Sequence, residues 1–276
     1  MSAVLANGDI VTINKNSYPD LFWAARGGGS GFVILINITM ETFDIPNDIN
    51  GVNITIAAKD MSSASTDSYL NALAYFISIS QDLADNGITG YPMASAGSYN
   101  GFLMGWGKTK DQVNDFFNPV ITKLQSMGVN VVMNPLTGDI AFNTSAPVVP
   151  ALDFSITSRL LSGEALRDAA KVKAMLNATF ATGAMIQPFL VLGGKTTTNS
   201  ESLVSANPSL RLAAIHFCIL NTGKTDSWSE ALTTFKLIHD VQTPLLEPFA
   251  VNNAAYVNEV YSPFSLLFSA SRVAYA

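Results

Sequence analysis

The chain has 276 residues, with 15 Lys+Arg against 21 Asp+Glu and 2 His, a formal charge of −6. Hydrophobic residues make up 48% but charged residues only 13%, against about 25% charged in a usual soluble domain. This acidic balance argues against a protein built to bind nucleic-acid phosphate, the apolar half argues against disorder, and the one cysteine, Cys218, allows no internal disulfide and no Cys-based zinc site by itself.

The start, Met1 to Asp9, carries no basic region and reaches a turn within a few residues, so it is not read as an export signal. Ala3-Val4-Leu5, Asn7-Gly8-Asp9 and Ile10-Val11-Thr12-Ile13 read as strand, turn, strand, because Asn-Gly between apolar runs is a strong hairpin signal. Asp20 is placed to cap a short helix with Leu21, Trp23 and Ala24 on its apolar side, ending at Gly27 to Gly31. The longest apolar run, Phe32 to Ile36, is far below the ~20 residues of a membrane span and reads as a buried strand continuing to about Phe43.

From residue 47 the texture changes. Val52 to Ala58 alternates as a strand, and Tyr69, Leu73, Phe76 and Leu83 stand near helical spacing within a helix over about 65–83. Short strands near 90–96 and 99–106, a helix over 111–127 ended by Gly128 and a strand over 129–133 follow. Strands are expected at 154–160, 184–192 and 212–220, with helices over 163–180 and 227–241, the latter turning Trp228, Leu232, Phe235 and Ile238 inward. The last third thus repeats the order of the middle third. The predicted class is α+β, with one mostly antiparallel sheet and helices on one face.

Little of this points to chemistry directly. Gly27 to Gly31 lacks the Lys-Ser/Thr and the G-x-G-x-x-G spacing of a phosphate loop and precedes a strand, so it reads as a tight turn. His216 alternates with Ile215 and Phe217, as a hydrogen-bonded strand histidine would, while His239 suits a helix end and Cys218 a small buried hydrophobe. No metal site is expected.

Three motifs change the picture. Val4-Leu5-Ala6-Asn7-Gly8-Asp9-Ile10-Val11-Thr12 followed by Asp20-Leu21-Phe22-Trp23-Ala24-Ala25-Arg26-Gly27-Gly28-Gly29, then Asn207-Pro208-Ser209-Leu210-Arg211, then Tyr256-Val257-Asn258-Glu259, stand in this order. They resemble the berberine-bridge-enzyme-like FAD-linked oxidases of the vanillyl-alcohol-oxidase (PCMH-type) superfamily, in their fungal flavour. The resemblance implies residues 1–46 as the last strands of an FAD-binding domain, 47–259 as a substrate-binding domain, and 260–276 as a tail that departs from the pattern. It further implies FAD as cofactor, hydride transfer from a small organic substrate (an alcohol, a sugar or a secondary metabolite) to the flavin, and reoxidation by O2. The protein supplies positioning and proton transfer while the flavin does the redox chemistry. Tyr256 would assist proton removal, although a phenol pKa of about 10 must be lowered for that role. Asn258 would bond near the flavin, and the backbone at Ile34 and Leu35 would lie beside the adenine end. Gly31 and Val33 stand where the family has Asn and Gly. The residues that covalently hold the flavin in the family have no counterpart here, which makes a fragment truncated at both ends, catalytically inactive, the alternative. Partners implied are a small molecule and O2, with no nucleic acid and no membrane; the family is typically secreted.

Overall fold

The computed structural model describes residues 1–28, 31–137, 155–198, 203–222, 227–256 and 259. The expected hairpin is present: β1 (Ser2–Val4) and β2 (Ile10–Thr12) pair antiparallel across the Asn7-Gly8 turn. Gly8 sits at φ +90°, a backbone conformation that favours glycine. β3 (Ile34–Asn37) pairs with the other side of β1 to give the order β2-β1-β3. Here the sequence reading needs correction. The strand is four residues long rather than reaching Phe43, and it is not buried: Ile34 is 72% exposed, and Ile36, Ile38, Met40, Phe43 and Ile45 also face solvent. β3 is an edge strand, and no strand among the described residues pairs with its outer side.

α1 (Pro19–Ala24) begins at Tyr18, whose φ is +51° and whose side chain makes no cap bond. Pro19 supplies the preset φ of a first helical residue, so Asp20 lies in the first turn rather than at the cap. Trp23 is largely exposed and Ala24 is the buried contact.

Seven strands form the main sheet in the order β7-β4-β6-β5-β9-β10-β8, where each pair is antiparallel. They are β4 (Ile49–Ala57), β5 (Ile88–Ala94), β6 (Ser98–Trp106), β7 (Asn130–Thr137), β8 (Ser155–Leu161), β9 (Met185–Phe189) and β10 (Ile215–Asn221). Alternation decides their faces. Ile54, Ile56, Tyr99, Leu103, Ile186, Phe217 and Ile219 join one core beneath the helices.

Several helices of the main layer begin where a side chain caps them. Ser62 accepts from Ser65 N–H to start α2 (Ser63–Ser78), and Thr109 and Gln112 form a reciprocal capping box for α4 (Lys110–Ser126). Two helices expected as single runs are broken. α2 ends at Ile79 and restarts as α3 (Ser80–Asp85), and α5 (Gly163–Leu166) stops before Asp168, which accepts from Lys171 N–H to cap α6 (Ala169–Ala181). Tyr69, Leu73, Phe76 and Leu83 are all buried, each such large apolar side chain contributing roughly 1.5–3 kcal/mol by leaving water.

α7 (Trp228–Lys236) corrects another expectation. Trp228 is 57% exposed and Leu232 also faces outward; Ala231 is the residue α7 buries, and Ile238 is buried beyond its end. After Lys236 the chain widens into a π-type turn, Leu237–Gln242. The wider turn carries more residues than an α-turn and changes the phase of the apolar stripe, so one helical wheel over 227–241 fails.

The repeat read from the sequence is visible in the sheet. β4-β6-β5 and β8-β10-β9 have the same connectivity and meet back to back at β5 and β9, with α2 and α6 packed together over that junction.

Candidate functional site

The helices cover one face of the main sheet. On the opposite face alternation places Asn53 and Thr55 of β4, Asn100 and Phe102 of β6, and Tyr91 and Met93 of β5. Asn100 bonds Asn53 at 3.2 Å and Thr55 at 3.1 Å, forming a polar ladder. Beside it runs a row of rings. Tyr91 meets Phe189 at 5.4 Å between centroids, Phe189 meets His216 at 5.9 Å, and His216 meets Tyr256 edge-on at 5.7 Å. Edge-to-face contacts of this kind are the favoured aromatic geometry. Tyr91 at 65% and Tyr256 at 40% exposure leave the row accessible at both ends.

At the β10 end the face is roofed by the segment 250–256 and by Glu259. Leu160 N–H donates to Ala254 C=O at 2.9 Å and Arg159 Nε to Asn253 Oδ1 at 2.8 Å, fastening that segment to β8. Beneath it lie His216, 5% exposed, and Cys218, 1% exposed, two residues apart and hence on one side of the strand. One carboxylate oxygen of Glu259 serves both: it lies 3.2 Å from His216 Nδ1 and accepts from Cys218 Sγ at 3.2 Å. Cys218 Sγ also lies 3.6 Å from His216 Nε2. Burial holds His216 below its ordinary pKa, with Glu259 opposing that shift. Burial, then the hydrogen bond and charge of Glu259, pushes the Cys218 thiol up. Both shifts favour the uncharged forms, a neutral imidazole beside a protonated thiol.

Of the glycine run, Gly27 and Gly28 pack tightly against neighbouring chain, and Gly29 and Ser30 lie outside the described residues. Gly27, at φ +118°, has Ala206 so close that a Cβ would stand 2.8 Å from its backbone nitrogen, and Ser205 Oγ donates to Ala24 C=O at 2.9 Å. Arg26 Nη1 donates to Leu203 C=O at 2.8 Å. These residues thus clasp the 203–206 loop, joining the small sheet to the large one.

The predicted site residues fall in three places. Tyr256 ends the segment that roofs the β10 end of the face and meets His216 edge-on. Ile34 and Leu35 lie on edge strand β3, Ile34 outward and Leu35 half-buried, and Asn258 lies outside the described residues, as does the 260–276 tail. His216 is the hydrogen-bonded strand histidine expected and Cys218 the buried thiol. Their convergence with Glu259 was missed; the i, i+2 spacing was the available signal, but a carboxylate 41 residues away was not in view.

No family model matches the chain. It is 30% identical over 285 residues to an uncharacterized FAD-linked oxidoreductase of Arthroderma benhamiae, covering 93% of this chain and 47% of the relative. It is 24% identical to the FAD-linked oxidoreductase ZEB1 of Gibberella zeae, covering 93% and 46%. The chain therefore spans about half the length of the curated relatives it matches. Among solved structures it shares the fold of the VAO-type flavoprotein MtVAO713 from Myceliophthora thermophila, with a TM-score of 0.85 at 22% identity, over 94% of this chain and 49% of that one.

Proposed function

We propose that this chain, a relative of the FAD-linked oxidoreductases of the vanillyl-alcohol-oxidase type, is the substrate-binding part of such a flavoenzyme, with residues 1–46 as one corner of the flavin domain. The observation that carries the reading is the row Tyr91, Phe189, His216 and Tyr256 on the sheet face away from the helices. Rings set edge to face, with Tyr91 and Tyr256 exposed and an Asn and Thr ladder beside them, fit one wall of a site for a ring system and a hydroxyl-bearing substrate. When bound, FAD supplies the hydride acceptor, which O2 reoxidises.

What this chain does is orient and move a proton. Phe189 and Tyr91 offer apolar surface for the substrate's carbon face, while Asn53, Asn100 and Thr55 offer hydrogen bonds to its hydroxyls. Tyr256, as its phenolate, would take the hydroxyl proton, and the His216 ring, fixed by Glu259, holds the Tyr256 ring edge-on. Asn258 stands two residues on and is assigned to the flavin side on its motif alone. The exposed apolar side of β3, Ile34 and Ile36 with Leu35 half-buried between them, is the surface that further flavin-domain structure would cover. The substrate class that suits an aromatic and asparagine face is a sugar or a comparable small alcohol, and berberine-bridge-type chemistry is the finer form of this reading.

The test is to add FAD to the purified chain, desalt it and record the flavin spectrum, then follow peroxide formation with sugars and simple alcohols. Retained absorbance near ~450 nm with substrate-dependent peroxide supports the enzyme. A colourless protein supports the inactive-fragment reading, which the exposed β3 surface favours.

A further inference from the structure

We propose that His216, Cys218 and Glu259 form a binding site for a divalent metal ion of the zinc class. Their ligand atoms all lie within 4.8 Å of one another. A tetrahedral zinc site with bonds of about 2.0–2.3 Å has ligand-to-ligand edges of about 3.3–3.6 Å. Glu259 Oε2 lies 3.2 Å from His216 Nδ1 and 3.2 Å from Cys218 Sγ, two edges that share one oxygen, while Cys218 Sγ lies 3.6 Å from the other ring nitrogen, Nε2. The imidazole gives one nitrogen, and both of its nitrogens border the cluster. Two edges thus match the tetrahedral value, and the third, which closes on one ring nitrogen, lies within 4.8 Å and is completed by a rotation of the imidazole.

A second observation points to the same place. Ser158 pairs directly with Cys218 across the β8–β10 ladder, and its buried Oγ has no hydrogen-bond partner among the described residues. A buried hydroxyl without a partner costs about 1–3 kcal/mol. It is a ready acceptor for a water on the ion, or a fourth ligand. The donor set of one nitrogen, one sulfur and one oxygen suits Zn2+ and disfavours Mg2+ or Ca2+, which take oxygen.

Binding releases the Cys218 proton to solvent and leaves a thiolate on the metal, so affinity rises with pH. The ion ties Glu259, and with it the segment that carries Tyr256, to β10. The site rests on these three side chains and stands or falls apart from the flavin reading.

Cobalt(II) is the probe, because Cys218 is the only thiol in the chain. Titrating Co2+ into the metal-free chain is expected to produce, at one equivalent, a near-ultraviolet thiolate-to-cobalt charge-transfer band and the strong visible bands of a tetrahedral site. Zn2+ should bleach both. Cys218→Ala should abolish the charge-transfer band, Glu259→Gln and His216→Ala should each weaken affinity about tenfold or more, and His239→Ala, at the exposed second histidine, should change nothing. Circular dichroism verifies that each variant is folded. A folded wild-type chain with no thiolate band overturns the proposal, as does a band that keeps its affinity in Glu259→Gln and His216→Ala.

Discussion

Gln242 sits at the end of the π-type turn with its side chain fully buried, in a polar knot that leaves the sheet no slack. Its Nε2 donates to Asn221 Oδ1 at 2.8 Å and to Thr182 Oγ1 at 2.9 Å, and its Oε1 accepts from Asn221 Nδ2 at 2.8 Å. Asn221 ends β10, so the knot fixes where the strand carrying His216 and Cys218 stops. In Gln242→Ala three hydrogen bonds go, at about 1 kcal/mol net each, and the Asn221 carbonyl is left buried without its donor. The Asn221 amide keeps a longer bond to Ser155 C=O at 3.3 Å, which softens the loss. Together these give a destabilisation of about 3–4 kcal/mol. Gln242→Glu should be worse at neutral pH, because a buried carboxylate cannot donate to either oxygen it faces. Urea unfolding followed by circular dichroism measures both, and the cycle with Asn221→Ala should show a coupling of about 1–3 kcal/mol. A Gln242→Ala chain within about 0.5 kcal/mol of wild type, or additive single variants, would refute the reasoning.

Gly90→Ala should destabilise by about 1–3 kcal/mol on thermal melting, because its Cβ would collide with the Phe102 carbonyl of the paired strand. The Asp82–Arg167 pair predicts an acid effect. Arg167 holds the Asp82 carboxyl below its ordinary value, so its stabilisation is full at neutral pH, well above 3.8, and is lost as pH falls through the lowered value. Both side chains are nearly half exposed, so the effect is at most about 0.5–1 kcal/mol; it should vanish in Arg167→Ala and shrink in high salt, as read by urea melts across pH 5 to about 2. In flavin-loaded protein, Tyr256→Phe should lower turnover at least tenfold while leaving bound flavin unchanged, as read by stopped-flow reduction and absorbance; unchanged turnover removes Tyr256 from proton transfer.

Most of the main sheet was readable because period-two alternation over its strands agrees with burial on one face. The same logic failed at Phe32 to Ile36: apolar content says a surface wants covering, not that this chain covers it. It failed again after Lys236, where the wider turn shifts the helical phase that put Trp228 inside. Of the site, Tyr256 was reachable only through its motif, since one tyrosine near a chain end carries no periodic signal. His216 and Cys218 could be placed on one side of a strand from their spacing. That Glu259 meets them there is a tertiary fact set by the route of residues 250–256 over β8.

The doubled sheet carries a consequence for the order of folding. Its two halves are joined edge to edge by a sparse ladder, Ala94 opposite Ile186 and the Gly90–Leu190 bridge, whose two backbone bonds measure 2.9 and 3.0 Å. Within each half the ladders are longer and link residues closer along the chain. Loop-closure entropy therefore favours each half assembling as its own unit, with the β5–β9 junction closing last as α2 and α6 meet above it. The same junction is where the sheet first opens under stress, so amides at Gly90 and Leu190 should exchange with solvent before those in the middle of β6 or β10.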